Sequence, residues 1–449
     1  MKFETLPPDL IYMICETLCQ HCTPPALDWT SHYPWVNQPQ AKPNRQTLLK
    51  LSLLCKSWGY VAQKILHHHF GILETTLIAE VLFCRTVSQN PDLAKMVQSI
   101  RLRNIDTTDN ASPIEDWITE PLNKFSELLN FPGTTFDSEV SNWESFIAPL
   151  ILLQVPNLKY LHVGHKGDCL LFDKFDKPAV VRQQALPLYI NSLMVGYDLE
   201  LDGTLSPFPG PLDISEDGLG GIFPALKRLG YLDICSPNID TVRHPLQLQN
   251  IKRLYCRRFA LRKKQLRSLV SSIAALEVFD YYGSGNPWQY YATGQDICEV
   301  LAPHKDTLRF MTLVGYYRQG SFMPLRQLRN LAALKFTAEA FWDPDHEPIL
   351  DEQALIAGLP PSLQCIAYEI DEKTWEGTID AIIAYLLSAG KQHTLRCFQI
   401  LLSGGKYAVV WDETATLRFR DSIRAIVQRV EEMSEQIIDR QRTGTLACN

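Results

Sequence analysis

The side chains with soft-metal chemistry crowd near the start of the sequence, where Cys15, Cys19, His21 and Cys22 lie close together. Cys15 and Cys19 fall within or just after the first predicted helix. A closed zinc site needs four ligands, and no second pair follows at matching spacing. The sequence therefore assigns no metal ligand. His67-His68-His69 ends a helical stretch, where cationic side chains suit the negative end of the helix dipole. Gly404-Gly405-Lys406 lacks the upstream glycine and following Ser/Thr of a phosphate loop. No His-Glu-x-x-His, Gly-x-Ser-x-Gly or dinucleotide fingerprint occurs. The reading is a chain without catalytic residues or cofactor, and so not an enzyme.

Binding chemistry is better represented. A template, Leu-x-x-Leu-x-Leu with any large apolar residue allowed, recurs nine times. Its first positions are Val97, Leu158, Leu229, Ile251, Leu276, Leu308, Leu331, Leu363 and Leu395. The alternating half of the template predicts a short strand with one apolar face inward. The residues beside those apolar positions then share the opposite, concave face. That row reads Arg101, Arg103, Tyr160, His162, Tyr231, Asp233, Arg253, Tyr255, Arg257, Asp280 and Tyr282. Trp288 joins it from the aromatic loop Gly283–Tyr291. Tyr, Trp and Arg are the types enriched at binding hot spots, so these twelve are the candidate substrate contacts. Charge is segregated too: residues 241–276 hold nine Lys/Arg and no Asp/Glu, while residues 336–372 hold nine Asp/Glu and no Lys/Arg. Arg262, Lys263, Lys264 and Arg267 fit the solvated face of a helix, so the basic side of the row falls to Arg253 and Arg257.

From Leu229 onward the template recurs every 22–32 residues, the range of leucine-rich repeats with a strand and a returning, often helical, segment. The expected architecture for residues 71–449 is therefore α/β: a leucine-rich-repeat-like horseshoe solenoid. Segments Lys263–Ala275 and Gln295–Leu301 have helical spacing. Two wider gaps, from Val97 to Leu158 and on to Leu229, imply insertions or degenerate repeats. Tyr407–Trp411 predicts a terminal strand, and Leu417–Ile438 an amphipathic capping helix.

Residues 1–70 form a separate, all-α module. Leu6-Pro7-Pro8-Asp9 opens a helix, with prolines tolerated in the first turn and Asp9 at the positive end. A second stretch, Leu48 to Leu66, reads as a short helix apolar around most of its circumference. So few residues can hardly cover it alone, and the surplus predicts a partner. Between them, residues 19–46 carry five prolines, three large aromatics and no glycine, and predict an irregular insertion.

Leu6-Pro7-Pro8-Asp9, Ile14 to Leu18, and Leu51-Ser52-Leu53-Leu54-Cys55-Lys56-Ser57-Trp58 resemble the F-box. The tail Val61 to Phe70 resembles the version common in fungal members. About forty residues carry the likeness, and the long insertion departs from the family's short loop. The resemblance implies docking to a Skp-type adaptor and, through it, membership of a cullin–RING ubiquitin ligase. It assigns Leu6, Pro7, Leu10, Ile11, Ile14, Leu51, Leu54 and Trp58 to the module core and docking face. The alternative it leaves is a scaffold or regulatory protein that acts without ubiquitin ligation. A third reading is an enzyme with its site between Gly164 and Ile222.

Composition bounds these readings. With 449 residues, 46% hydrophobic and 21% charged, the chain has ample core material. A net charge of −7 argues against bulk nucleic-acid binding. The longest nearly unbroken apolar run, Phe146 to Val155, is too short to span a bilayer. Singly placed cysteines in apolar stretches fit reduced thiols, and hence a cytoplasmic or nuclear protein. The expectation is a monomer within a hetero-complex, holding a protein substrate.

Overall fold

The computed structural model describes residues 6–19, 22, 41–71, 77–102, 147–164, 189–196, 219–235, 246–259, 261–283, 292–314, 323–337, 358–370, 397–402 and 408–412. The chain divides into two compact units, Met1–Leu276 and Glu277–Asn449. Both combine short helices with mainly parallel strands, so the fold class is mixed α/β. The predicted helix at 417–438, Arg103, Trp288 and most of the acidic block lie outside the described residues.

The first unit opens with α1 (Pro8–Thr17), α2 (Ala41–Ser52) and α3 (Lys56–Leu66). Pro7 caps α1 from an extended conformation, Pro8 takes its first position and Asp9 its first turn, as the sequence predicts. Two expectations change. The apolar stretch 48–66 is not one helix: it breaks at Leu53-Leu54-Cys55, where the Leu53 and Leu54 amides close back on Lys50 and Leu51. Cys55 is fully extended before α3. The break lets Leu48 of α2 and Trp58 of α3 reach one core, which a continuous helix would point apart. The insertion is also less irregular than predicted, because α2 already begins at Ala41. Its Pro43 stands in the first turn, where a missing N–H costs nothing. Ile11, Cys15, Cys19, Leu48, Trp58, Val61, Ala62 and Ile65 form the buried cluster of this region. Gly59 permits the close approach of α2 to α3, since a Cβ there would lie 2.8 Å from the Ser52 carbonyl oxygen.

Strand β1 (His69–Phe70) follows α3 directly and pairs in parallel with β2 (Ser99–Leu102). Helix α4 (Leu77–Gln89) lies between them in sequence, and its Phe83 stacks on Phe70 with ring centroids 3.9 Å apart. Strands β3 (Tyr160–Gly164), β4 (Ser192–Gly196), β5 (Tyr231–Cys235) and β6 (Arg253–Phe259) continue the parallel pairing in chain order. Register keeps the apolar template in line. Ile100, Leu161, Leu193, Leu232 and Leu254 stand opposite one another, as do Leu102, Val163, Val195, Ile234 and Cys256. All ten are buried.

Several of the templates begin with the same turn. The amide of the first residue donates three residues back: Val97 to Ala94, Leu158 to Val155, Leu229 to Leu226 and Ile251 to Leu248, at 3.0–3.3 Å. An asparagine side chain tightens two of these turns onto the preceding one. Asn157 donates to the Lys95 carbonyl at 2.8 Å, and Asn250 to that of Lys227 at 2.9 Å. Strand β4 is a tenth copy that the sequence reading passes over: Ile190, Leu193 and Val195 fill the template. The wider gap between Leu158 and Leu229 therefore contains a strand of the same ladder.

In the second unit, β7 (Val278–Gly283), β8 (Phe310–Val314), β9 (Ala333–Thr337), β10 (Cys365–Ile370) and β11 (Cys397–Leu402) pair in parallel, again in chain order. The expected terminal strand is present as β12 (Ala408–Asp412), antiparallel to β11. Asn330 donates to the Asp306 carbonyl at 2.6 Å, the same device as in the first unit. The predicted helices are Lys263–Val270 in the first unit and Gly294–Leu301 in the second. The second of these is capped reciprocally by Thr293 and Asp296.

Gly196 ends β4 at φ 145° and presses against the Cys235 carbonyl. Gly196→Ala is expected to cost about 2–4 kcal/mol through strain and overlap. Gly230→Ala, whose Cβ would meet nothing nearer than 4.0 Å, is expected to cost less than about 1 kcal/mol. Urea unfolding of the two variants beside wild type checks the difference.

Candidate docking face and polar strand row

Helix α1 carries two apolar stripes. Ile11 and Cys15, one turn apart, are fully buried, whereas Leu10, Met13 and Ile14 are exposed on the neighbouring side. Leu49 on α2, Leu53 and Leu54 in the turn, and Tyr60 on α3 are exposed as well, Leu53 to 85%. Of the eight residues the F-box likeness assigns, Ile11 and Trp58 are core, and Leu6 and Leu51 pack half-buried against it. Pro7, Leu10, Ile14 and Leu54 face outward. Sequence reasoning missed Tyr12, Met13, Leu49, Leu53 and Tyr60, because an apolar run does not itself say which side stays uncovered.

The predicted strand row forms a real line, though much of it is not surface. Arg101, His162, Met194, Asp233 and Tyr255 stand in register, as do Tyr160, Ser192, Tyr231 and Arg253. Arg101, Tyr160, His162, Arg253 and Tyr255 are half-buried. Tyr231, Asp233 and Arg257 are buried, so the expectation of an accessible Arg257 is corrected: its guanidinium is committed inside the fold. In the second unit Asp280 and Tyr282 are half-buried. Lys335 is buried, with its ammonium 5.8 Å from the Tyr282 ring centre. Lys335 stands in register with Thr312 and Asp280, immediately before the acidic block, where no pattern in the sequence singles it out.

Asp233 and Arg257 make a buried ion pair, with Oδ2 3.0 Å from Nη2. Arg257 is opposite Cys235 in register, so its long side chain reaches diagonally to Asp233. The Tyr231 hydroxyl donates to the same carboxylate oxygen at 3.4 Å, and Tyr231 stacks on Tyr255 at 4.8 Å. Burial pushes the Asp233 carboxyl up to about 6, against the opposing pull of Arg257 and the Tyr231 hydrogen bond. Cavity-lining acids with such shifts often mark reaction centres. Here the carboxylate is spent on a neighbouring strand, and the geometry is that of a positioning element.

One further cluster joins parts distant in sequence. His68, at the end of α3, lies beside Cys19 and Cys22, and the ligating atoms of all three fall within 4.8 Å of one another. Cys22 Sγ is 3.5 Å from His68 Nδ1 and 3.9 Å from Glu16 Oε1. A hydrogen bond with Cys19, then burial, push the Cys22 thiol up. Cys84 and Cys298 are different: burial pushes both up to about 12, which leaves inert core thiols.

The raised Asp233 carboxyl has a signed consequence. The native chain keeps this proton to about pH 6, while the unfolded chain releases it near the ordinary 3.8. This group's stabilising contribution is therefore full below pH 4 and lost as pH rises to about 6, a change of about 3 kcal/mol. The unfolding free energy of wild type minus that of Asp233→Asn is expected to fall by about 2 kcal/mol of this between pH 4 and pH 6.5. A difference that stays flat would mean the carboxyl titrates normally.

No protein-family model matches the chain, and no curated protein matches its sequence.

Proposed function

We propose that this chain is the non-catalytic substrate-recognition adaptor of an SCF-type ubiquitin ligase. Residues 1–70 act as the F-box module, and residues 71–449 as a leucine-rich-repeat-like solenoid that holds a protein substrate. The carrying observation is exposed apolar surface on a three-helix element with its own buried cluster: Leu10, Met13 and Ile14 on α1, and Leu49, Leu53 and Leu54 on α2 and the turn after it, all stay exposed. Each leucine covered by a partner contributes about 1.5–3 kcal/mol, ample for a stable complex even after association entropy. The resemblance identifies that partner as a Skp-type adaptor.

The solenoid reading is supported by parallel strands that pair in chain order within each unit and by the turn repeated before several of them. A substrate would meet the half-buried row of Arg101, Tyr160, His162, Arg253 and Tyr255 in the first unit. Asp233 and Arg257 then serve as supports beneath it. The adaptor contributes proximity: it raises the substrate's effective concentration near a ligase whose other subunits do the chemistry.

The test is affinity capture of a Skp-type adaptor and cullin by the full chain. The double variant Leu10→Glu/Leu54→Glu changes exposed residues only, so its circular dichroism and thermal transition should match wild type. Its adaptor affinity is expected to fall at least 100-fold, equivalent to about 3 kcal/mol. Wild type that captures no adaptor overturns the proposal. Adaptor captured without cullin would favour the scaffold role.

A further inference from the structure

We propose that Cys19, Cys22 and His68 form a structural zinc site that ties the end of α1 to the end of α3. The ligand chemistry is right: two sulfurs and one imidazole nitrogen, a set that selects zinc over hard cations. The geometry agrees with a shared tetrahedral centre. Zn–S near ~2.3 Å and Zn–N near ~2.05 Å place sulfur and nitrogen about 3.6 Å apart; Cys22 Sγ and His68 Nδ1 are 3.5 Å apart.

The backbone holds the three residues in place. The Cys19 amide donates to the Glu16 carbonyl at 2.9 Å and the Cys22 amide to that of Cys19 at 3.1 Å. The two thiols thus sit on one turn that follows α1. His68 is fixed from the other side, because its carbonyl accepts from both the Gln98 and Ser99 amides at 2.9 Å. Cys19 and His68 are buried to 4% and 2% exposure, so the ligands are sheltered from exchange with water. The Glu16 carboxylate approaches one of these ligands, with Oε1 3.9 Å from Cys22 Sγ.

A site here has a physical use. Cys22 and His68 are 46 residues apart, and the intervening chain holds most of the proline-rich insertion. A metal between them closes that loop, removing conformational freedom that the small helical core must otherwise offset. This inference does not depend on the adaptor reading: a zinc site would tie the helices together whatever they dock.

The full chain, purified without a polyhistidine tag in reducing buffer, is expected to hold about one zinc per molecule by elemental mass spectrometry. Cys22→Ser and His68→Gln should each lower zinc affinity at least tenfold. Cys15→Ser, a buried cysteine outside the trio, should keep the metal. Chelation should lower the wild-type melting temperature by about 5 °C and leave His68→Gln unchanged. Because a substituted chain could lose its fold, cobalt provides a second measurement on wild type. Metal-free protein titrated with Co²⁺ should show thiolate-to-cobalt charge-transfer bands, bleached by zinc. Metal-free wild type that binds neither ion, full zinc retention in Cys22→Ser, or a Cys19–Cys22 disulfide under reducing conditions would each overturn the site.

Discussion

A single turn governs the parallel-strand regions. Closing the amide of Leu158, Leu229, Ile251 or Leu331 onto the carbonyl three residues earlier buries both apolar side chains and aims the next strand. The two amides that follow then share one carbonyl of the preceding strand: Gly230 and Tyr231 on Asn191, Lys252 and Arg253 on Gly230, Ala332 and Ala333 on Arg309. Strand register is thereby set before any strand residue pairs. With register set, period-two alternation decides which side chains enter the core. Asn157, Asn250 and Asn330 repeat at the position just before the template, where their amide groups satisfy a carbonyl that the turn would leave open.

That alternation explains what was legible in the sequence. Ile100/Leu102, Leu161/Val163, Leu232/Ile234 and Leu254/Cys256 are read correctly as buried pairs because polar residues separate them. Strand β4 escaped notice because Ser-Leu-Met-Val-Gly is buried throughout and shows no alternation. The polar residues of the row stand in register from strand to strand, yet their exposure is not legible. Nothing local in Tyr-Leu-Asp-Ile-Cys tells that Asp233 will be covered and paired across a strand. The break at Leu53-Leu54-Cys55 was hidden similarly, since an uninterrupted apolar run has no glycine or proline to mark its turn. His68 looked like a helix-end cation until folding carried Cys22 to it across 46 residues.

The buried pair of Asp233 and Arg257 constrains the ladder in a way that apolar residues cannot. Sliding β6 by one residue against β5 would turn Arg257 toward the apolar interior and strand Asp233 without its cation. A buried charge that loses its partner costs about 3–5 kcal/mol, far more than a slipped leucine. The pair adds little net stability against a well-packed apolar substitute; it makes the wrong register expensive. Tyr231, stacked on Tyr255 and donating to Asp233, fixes the same alignment on the adjoining positions.

At the N-terminal end the balance runs the other way. Eight buried residues form the cluster of three helices, while a comparable set of large apolar side chains, Leu10 to Tyr60, points outward. Folding needs only the inner stripe of α1. Leu10, Met13 and Ile14 are 41–61% exposed, so their apolar character contributes far less to this cluster than that of Ile11 or Cys15. On the proposed reading it is reserved for the adaptor, and the module gives up core to keep a docking face. A thin core then makes external ties valuable. The Phe70–Phe83 stack and the β1–β2 pairing anchor α3 to the strands, and a metal at Cys19, Cys22 and His68 would anchor α1 to the same point.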